Sequence, residues 1–237
     1  MTREPLVLIP PMLCDARVFA PQINALSVHH AITFAPTTCG ERIEEIASQI
    51  LEWAPAKFAL LGMSMGGAVA LEVLRRAPNR VLRIALVSCT AQSETPEAAA
   101  AREPLIVAAR AGRFQDVVAQ EMKPEYLAAG PARKTVMAEL AVMARALGPQ
   151  AYVHQARAMQ RRRDQTATLR QIKQPALVLC GAHDPVVPVR RHEFMAEMIP
   201  NARLAVIPDA GHFPTLEQPD AVQEDIFRWM QQPLILR

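Results

Sequence analysis

Six short apolar runs alternate along this chain with stretches of helical periodicity, and that alternation constrains its fold more than any other feature. The runs are Pro5–Pro10, Ala31–Ala35, Lys57–Leu61, Val81–Ser88, Ala176–Cys180 and Arg203–Ile207. Within the first, Leu6 to Ile9 are apolar without a break, as a strand covered on both faces requires. Ala31–Ala35 is the weakest of the six. Helical stripes fall between them. Glu41–Trp53 sets Ile43, Ile46, Ala47, Ile50 and Leu51 on one face and stops before Pro55. Met65–Ala77 stops before Pro78, and Arg190–Met198 and Asp220–Met230 follow later. The fold class is therefore α/β: a mostly parallel sheet of about six strands with helices on both faces. The 237 residues, 51% of them hydrophobic, suit one large domain of this kind.

One segment breaks the rhythm. From about Glu94 to Asp164 the pattern is helical throughout, rich in Ala, Arg and Met and punctuated by Pro104, Pro124 and Gly130-Pro131. A crossover between parallel strands needs far less chain. The expected organisation is an α/β core of residues 1–93 and 165–237 with a helical insertion, 94–164, of three or four helices serving as a lid. Met122, Tyr126, Leu127, Met137, Met143, Tyr152 and Met159 are its candidates for a pocket mouth, several of them ordinary helix-packing residues, and a mouth of methionines would favour a small or medium apolar ligand.

Charge and cysteine content narrow the function. The formal net charge is only +3, from 26 basic and 23 acidic residues spread along the chain. No basic stripe with interleaved aromatics marks a nucleic-acid surface. The one basic triplet, Arg161-Arg162-Arg163, reads as a solvated helix end. Cys14, Cys39, Cys89 and Cys180 show no C-x-x-C spacing, so neither a zinc site nor a disulfide framework is expected. No apolar run approaches the ~20 residues of a membrane span or forms a signal-peptide core. The expectation is a cytoplasmic protein acting on a small molecule, with no membrane or nucleic-acid partner.

The chemistry centres on Gly62-Met63-Ser64-Met65-Gly66-Gly67, a G-x-S-x-G sequence between a strand and a helix. So sharp a turn holds the serine in a strained conformation at the strand's C-terminal edge. A Cβ at Gly62 or Gly66 would strike the neighbouring strand and helix. A serine nucleophile needs a base, and the base an orienting acid. Asp184 follows the fifth strand and His212 the sixth, which brings both to the edge that carries Ser64. His29, His30, His154 and His192 read as edge, packing or outer-helix residues, and His183 as pointing away from the site. Asp209 reads as turn chemistry, and Asp164 as a helix N-cap. Donors for a tetrahedral oxyanion should be the N–H of Met65 and one from the loop Pro10–Asp15. Pro10 and Pro11 have no N–H, so Met12 is the earliest candidate and Leu13 the next. The side chains of Met12 and Met65 are expected to wall the acyl group.

These residues resemble the α/β-hydrolase superfamily over about Pro5 to Met230. Besides Gly62–Gly67, the likeness lies in Leu177–Pro188 and Ala210–Pro219, which are similar to the acid and histidine signatures of lidded esterases and carbon–carbon bond hydrolases. The resemblance implies Ser64 as nucleophile, Asp184 as acid, His212 as base, and Met12 and Met65 as backbone oxyanion donors. It implies no metal and no organic cofactor. Two departures from the resemblance are expected: Pro10-Pro11 stands in place of the common His-Gly, and no counterpart of the usual N-terminal antiparallel hairpin is expected. The reaction expected first is hydrolysis of a carboxylic ester through an acyl-enzyme. A C–C hydrolase of β-diketones and a non-catalytic binding protein are the alternatives.

Overall fold

The computed structural model describes residues 4–234. Its frame is a six-stranded sheet of β1 (Leu6–Ile9), β2 (Ile32–Phe34), β3 (Phe58–Met63), β4 (Val81–Val87), β5 (Ala176–Gly181) and β6 (Ala202–Ile207), every pairing parallel. The spatial order is β2-β1-β3-β4-β5-β6. Among the described residues, ten α-helices join or cover the strands. They are α1 (Ala20–Leu26), α2 (Ile43–Trp53), α3 (Met65–Arg76), α4 (Pro96–Arg110), α5 (Phe114–Glu121), α6 (Arg133–Gln160), α7 (Thr166–Leu169), α8 (Val189–Met198), α9 (Pro214–Glu217) and α10 (Pro219–Gln231).

The continuous apolar runs are explained by the two cores they serve. Leu6, Leu8, Leu61, Val87 and Leu177 face one side, where Val222, Ile226 and Trp229 of α10 and residues of the insertion pack. Val7, Ile9, Leu60, Leu86 and Val178 face the other, against α2, α3 and α8. Alternate residues of one strand thus enter different cores, and neither face can be polar. The weak second run becomes β2, a half-buried strand at the sheet's lateral edge that needs less apolar surface. Among the described residues, Arg83 is the one cation buried in a strand. It pairs with Glu4 at 2.7 Å and donates to the Trp229 and Gln232 carbonyls at the end of α10.

Between β4 and β5 the chain forms α4, α5, a 3-10 turn at Pro124–Tyr126, and α6. Gly148 interrupts α6 with φ +80° and Pro149 follows it, so the helix axis breaks there. Strand order reverses between β1 and β3, and the crevice beyond their C-terminal ends is where open α/β sheets bind ligands.

Candidate active site

β3 ends at Met63 and α3 begins at Met65, which leaves Ser64 alone to make the turn. It does so at φ +53°, a left-handed conformation that costs a non-glycine residue on the order of 1–3 kcal/mol. The glycines make that turn possible. A Cβ on Gly62 would sit 2.2 Å from the Gly66 carbonyl oxygen, and one on Gly66 would sit 2.2 Å from that of Ile9 in β1. The Ser64 N–H donates to the Val87 carbonyl at 2.9 Å, tying the turn to β4.

Asp184 and His212 lie in the loops after β5 and β6. Asp184 Oδ1 accepts the N–H groups of Val186 at 2.8 Å and Val187 at 3.0 Å, which fixes the carboxylate. Its Oδ2 lies 2.8 Å from His212 Nδ1, and His212 Nε2 lies 3.0 Å from Ser64 Oγ. A carboxylate only accepts, so Nδ1 carries the proton and the Nε2 lone pair faces the serine hydroxyl. The histidine loop is held from two sides. The His212 N–H donates to the Tyr126 carbonyl at 2.7 Å. Glu217 accepts the N–H groups of Gly211, Phe213 and Ala128 at 2.7–2.9 Å. Burial pushes the Glu217 carboxyl above its ordinary value, although these three donors pull the other way.

Met65, the first residue of α3, has an N–H with no intrahelical acceptor. On the β1 loop the two candidates separate. The Leu13 N–H donates to Gln155 Oε1 at 3.0 Å, whereas that of Met12 has no acceptor among the described residues. Gln155 is fully buried on α6, and its Nε2 donates to Thr37 Oγ1 at 2.9 Å. A side chain of the insertion thus clamps the β1 loop, a role nothing in the sequence announces. Met12 lines the cavity above Ser64, but the Met65 side chain does not. It is buried in the core on the α2–α3 side, contrary to the expectation that it would wall the acyl group.

The cavity measures about 470 Å³, within the range of small-molecule sites. Of the insertion's candidate residues, Met122, Tyr126 and Met159 line it. Leu127, Met143 and Tyr152 are core residues, and Met137 packs against that core. The lining is not the apolar methionine cap expected, because Glu94, Arg102, Glu121 and Arg162 also face it. Arg162 corrects the reading of its triplet. Arg161 and Arg163 lie toward solvent beside Glu41 and Glu44, but the Arg162 side chain is only 13% exposed and turns inward.

The other histidines lie elsewhere or do other work. His183 and His29 are exposed, and His30 and His154 bond to the carbonyls of Glu4 and Thr38. Asp164 Oδ1 accepts the Thr166 N–H at the start of α7. His192 lies on an outer helix as expected, yet it is fully buried and its Nε2 accepts the Cys89 N–H at 3.1 Å. Cys89 lines the cavity, and burial pushes its thiol up to about 12, so it stays protonated at neutral pH. Leu13, Ser64 and Ser88 are the non-glycine residues with positive φ among those described, and all three line the cavity. The Ser88 Oγ is buried without a partner. Among the described residues, no group of three or more His, Cys, Asp or Glu could hold a metal ion, and no helix is long and apolar enough to cross a membrane.

A strand–serine–helix turn, a hydrogen-bonded line from serine through histidine to carboxylate, and a parallel sheet carrying all three on one edge define a class of fold and site. The chain belongs to the alpha/beta hydrolase family, whose model matches residues 15–224, and it is an enzyme of the hydrolase class. It is 30% identical over 203 residues to a pimeloyl-[acyl-carrier protein] methyl ester esterase of Aromatoleum aromaticum, covering 80% of this chain and 81% of that protein. An esterase of the same description from Neisseria meningitidis serogroup B is 31% identical over 181 residues, covering 74% and 68%. Among solved structures, the malate-bound thermophilic esterase of Thermogutta terrifontis superposes with a TM-score of 0.87 at 27% identity, covering 97% of this chain and 90% of that one.

Proposed function

We propose that the protein hydrolyses a small-to-medium carboxylic ester through an acyl-enzyme formed on Ser64, with His212 as base, Asp184 as its orienting acid and residues 94–164 as a lid. The observation that carries this reading is the line from Ser64 Oγ to His212 Nε2 at 3.0 Å and from His212 Nδ1 to Asp184 Oδ2 at 2.8 Å. Its likeness to esterases supports the choice of bond.

Ser64 Oγ attacks the ester carbonyl carbon and its proton passes to His212 Nε2. The resulting imidazolium is stabilised by Asp184, which stays ionised. The N–H groups of Met65 and Met12 receive the oxyanion in this reading, where each such donor supplies on the order of 3 kcal/mol. Collapse expels the alkoxide, which takes the proton from Nε2. Water then attacks the acyl-enzyme, gives a proton to Nε2, and the acid leaves as Ser64 recovers its hydrogen. Turnover of an aryl acetate by wild-type and Ser64→Ala protein tests the reading: kcat should fall by roughly 10³–10⁶. A loss of only a few-fold would remove Ser64 as the nucleophile.

A further inference from the structure

The side of the cavity formed by residues 94–164 holds two largely but not fully buried guanidiniums whose surroundings differ. Arg102 on α4 is fully matched: Nε and Nη2 donate to the Glu94 carboxylate at 2.6–3.0 Å, and Nη1 lies 3.7 Å from Glu121. Glu121 in turn accepts the Tyr152 hydroxyl at 2.8 Å. This group ties α4, α5 and α6 together, and its role is structural.

Arg162, just past the end of α6, is not matched. Its Nε donates to the Gln92 carbonyl at 3.1 Å and its Nη1 to Met159 Sδ at 3.5 Å. The nearest carboxylate oxygen is on Glu94 at 3.9 Å, and Arg102 already occupies that carboxylate. Nη2 has no acceptor among the described residues. Burial lowers the pKa of Arg162, the pull of Glu94 does not offset it, and Arg102 adds repulsion. The same Gln92 holds a second cation, because Arg191, in the first turn of α8, donates to its side-chain oxygen. A neutral residue thus fixes two guanidiniums on one wall of the cavity without cancelling either charge. Arg190 adds another at the rim, so four guanidiniums face two carboxylates around the lining. A largely buried cation that only shares, at 3.9 Å, a carboxylate already held by another guanidinium is under-compensated, and a ligand can supply the missing charge. A carboxylate suits the guanidinium fork.

We propose that Arg162 and Arg191, set by Gln92, form a subsite for a carboxylate on the substrate remote from the scissile ester. The preferred substrates are then half-esters of dicarboxylic acids. The inference rests on the ester-hydrolase reading above, and the test separates the two. Monomethyl adipate and its neutral counterpart dimethyl adipate are compared by kcat/KM at low ionic strength, and adipate binding is measured directly by calorimetry. The half-ester should be preferred at least 10-fold. In Arg162→Gln and in the rim variant Arg191→Gln the preference should fall several-fold, mostly through KM. In the double variant it should approach unity, and adipate should bind about 10-fold more weakly or not at all. Arg162→Lys, which keeps the charge but not the fork, should restore part of it. Melting temperatures of all variants separate loss of recognition from loss of fold, and the exposed Arg191 carries the test should Arg162→Gln unfold. Equal turnover of the two esters, or a preference unchanged in the double variant, overturns the subsite while leaving the esterase standing. Adipate binding that depends on Arg162, with no ester turned over, would keep the subsite and overturn the esterase reading.

Discussion

The two walls of the cavity are built on different physics. The sheet-side wall carries Ser64, His212 and the β1 loop, and backbone geometry sets its reacting end: glycines with no room for a Cβ, a serine at φ +53°, and main-chain donors holding Asp184, with the Glu217 carboxylate bracing the histidine loop. The wall formed by residues 94–164 is placed by side chains, through the ion pairs of Arg102 and the hydrogen bonds of the Arg162 and Gln155 side chains. The first wall tolerates almost no change of shape. The second can change residue by residue, and it is where substrates would be distinguished.

The comparison is broken most sharply at Gly66. Gly66→Ala puts a methyl 2.2 Å from the Ile9 carbonyl oxygen, a clash with backbone that cannot be relieved locally. It should cost about 3 kcal/mol or more in chemical denaturation and lower kcat by roughly 10²-fold or more.

The next effect is on stability against pH. Burial pushes His192 down to about 4, and the attraction of Asp184 does not offset it. The unfolded chain takes up a proton at this histidine near pH 6.5, and the folded protein not until about pH 4. The unfolded state therefore binds more protons across that window, and this group's contribution to stability is lost as pH falls through it. The loss should reach about 3 kcal/mol. Denaturation midpoints from pH 7 to 4 should follow that slope, and His192→Gln should flatten it.

The join between the walls should give the smallest change. Gln155→Ala leaves the Leu13 N–H buried without its acceptor, a cost of about 1–3 kcal/mol. Because the β1 loop is then free to shift Met12, kcat should fall about 10-fold while KM changes little. Equal changes in both would mean that Gln155 only packs.

The same division governs what could be read from the sequence. Strand–turn–helix order, the G-x-S-x-G spacing and the succession of Ser64, Asp184 and His212 are local signals, and their residues meet because parallel strands deliver them to one edge. Gln155 was invisible because its partner lies 142 residues away and a helical glutamine carries no spacing signal. Arg162 was misread for a geometric reason. α6 ends at Gln160, so Arg162 and Arg163 follow no helical period, and only the contacts of Arg162 with Gln92 and Met159 turn it inward while its neighbours reach solvent. Ser88 takes φ +46° at the end of β4, yet its sequence neighbourhood is ordinary. Of the two candidate donors after Pro11, only the tertiary contact of Leu13 separates one from the other.

The most direct test of the account is labelling of the folded protein with a fluorophosphonate, followed by peptide mass spectrometry and repeated on Ser64→Ala and His212→Ala. The account predicts one adduct, on the peptide containing Ser64, absent in the serine variant and formed at least 10²-fold more slowly in the histidine variant. An adduct elsewhere, or labelling of Ser64 at the same rate without His212, would contradict it.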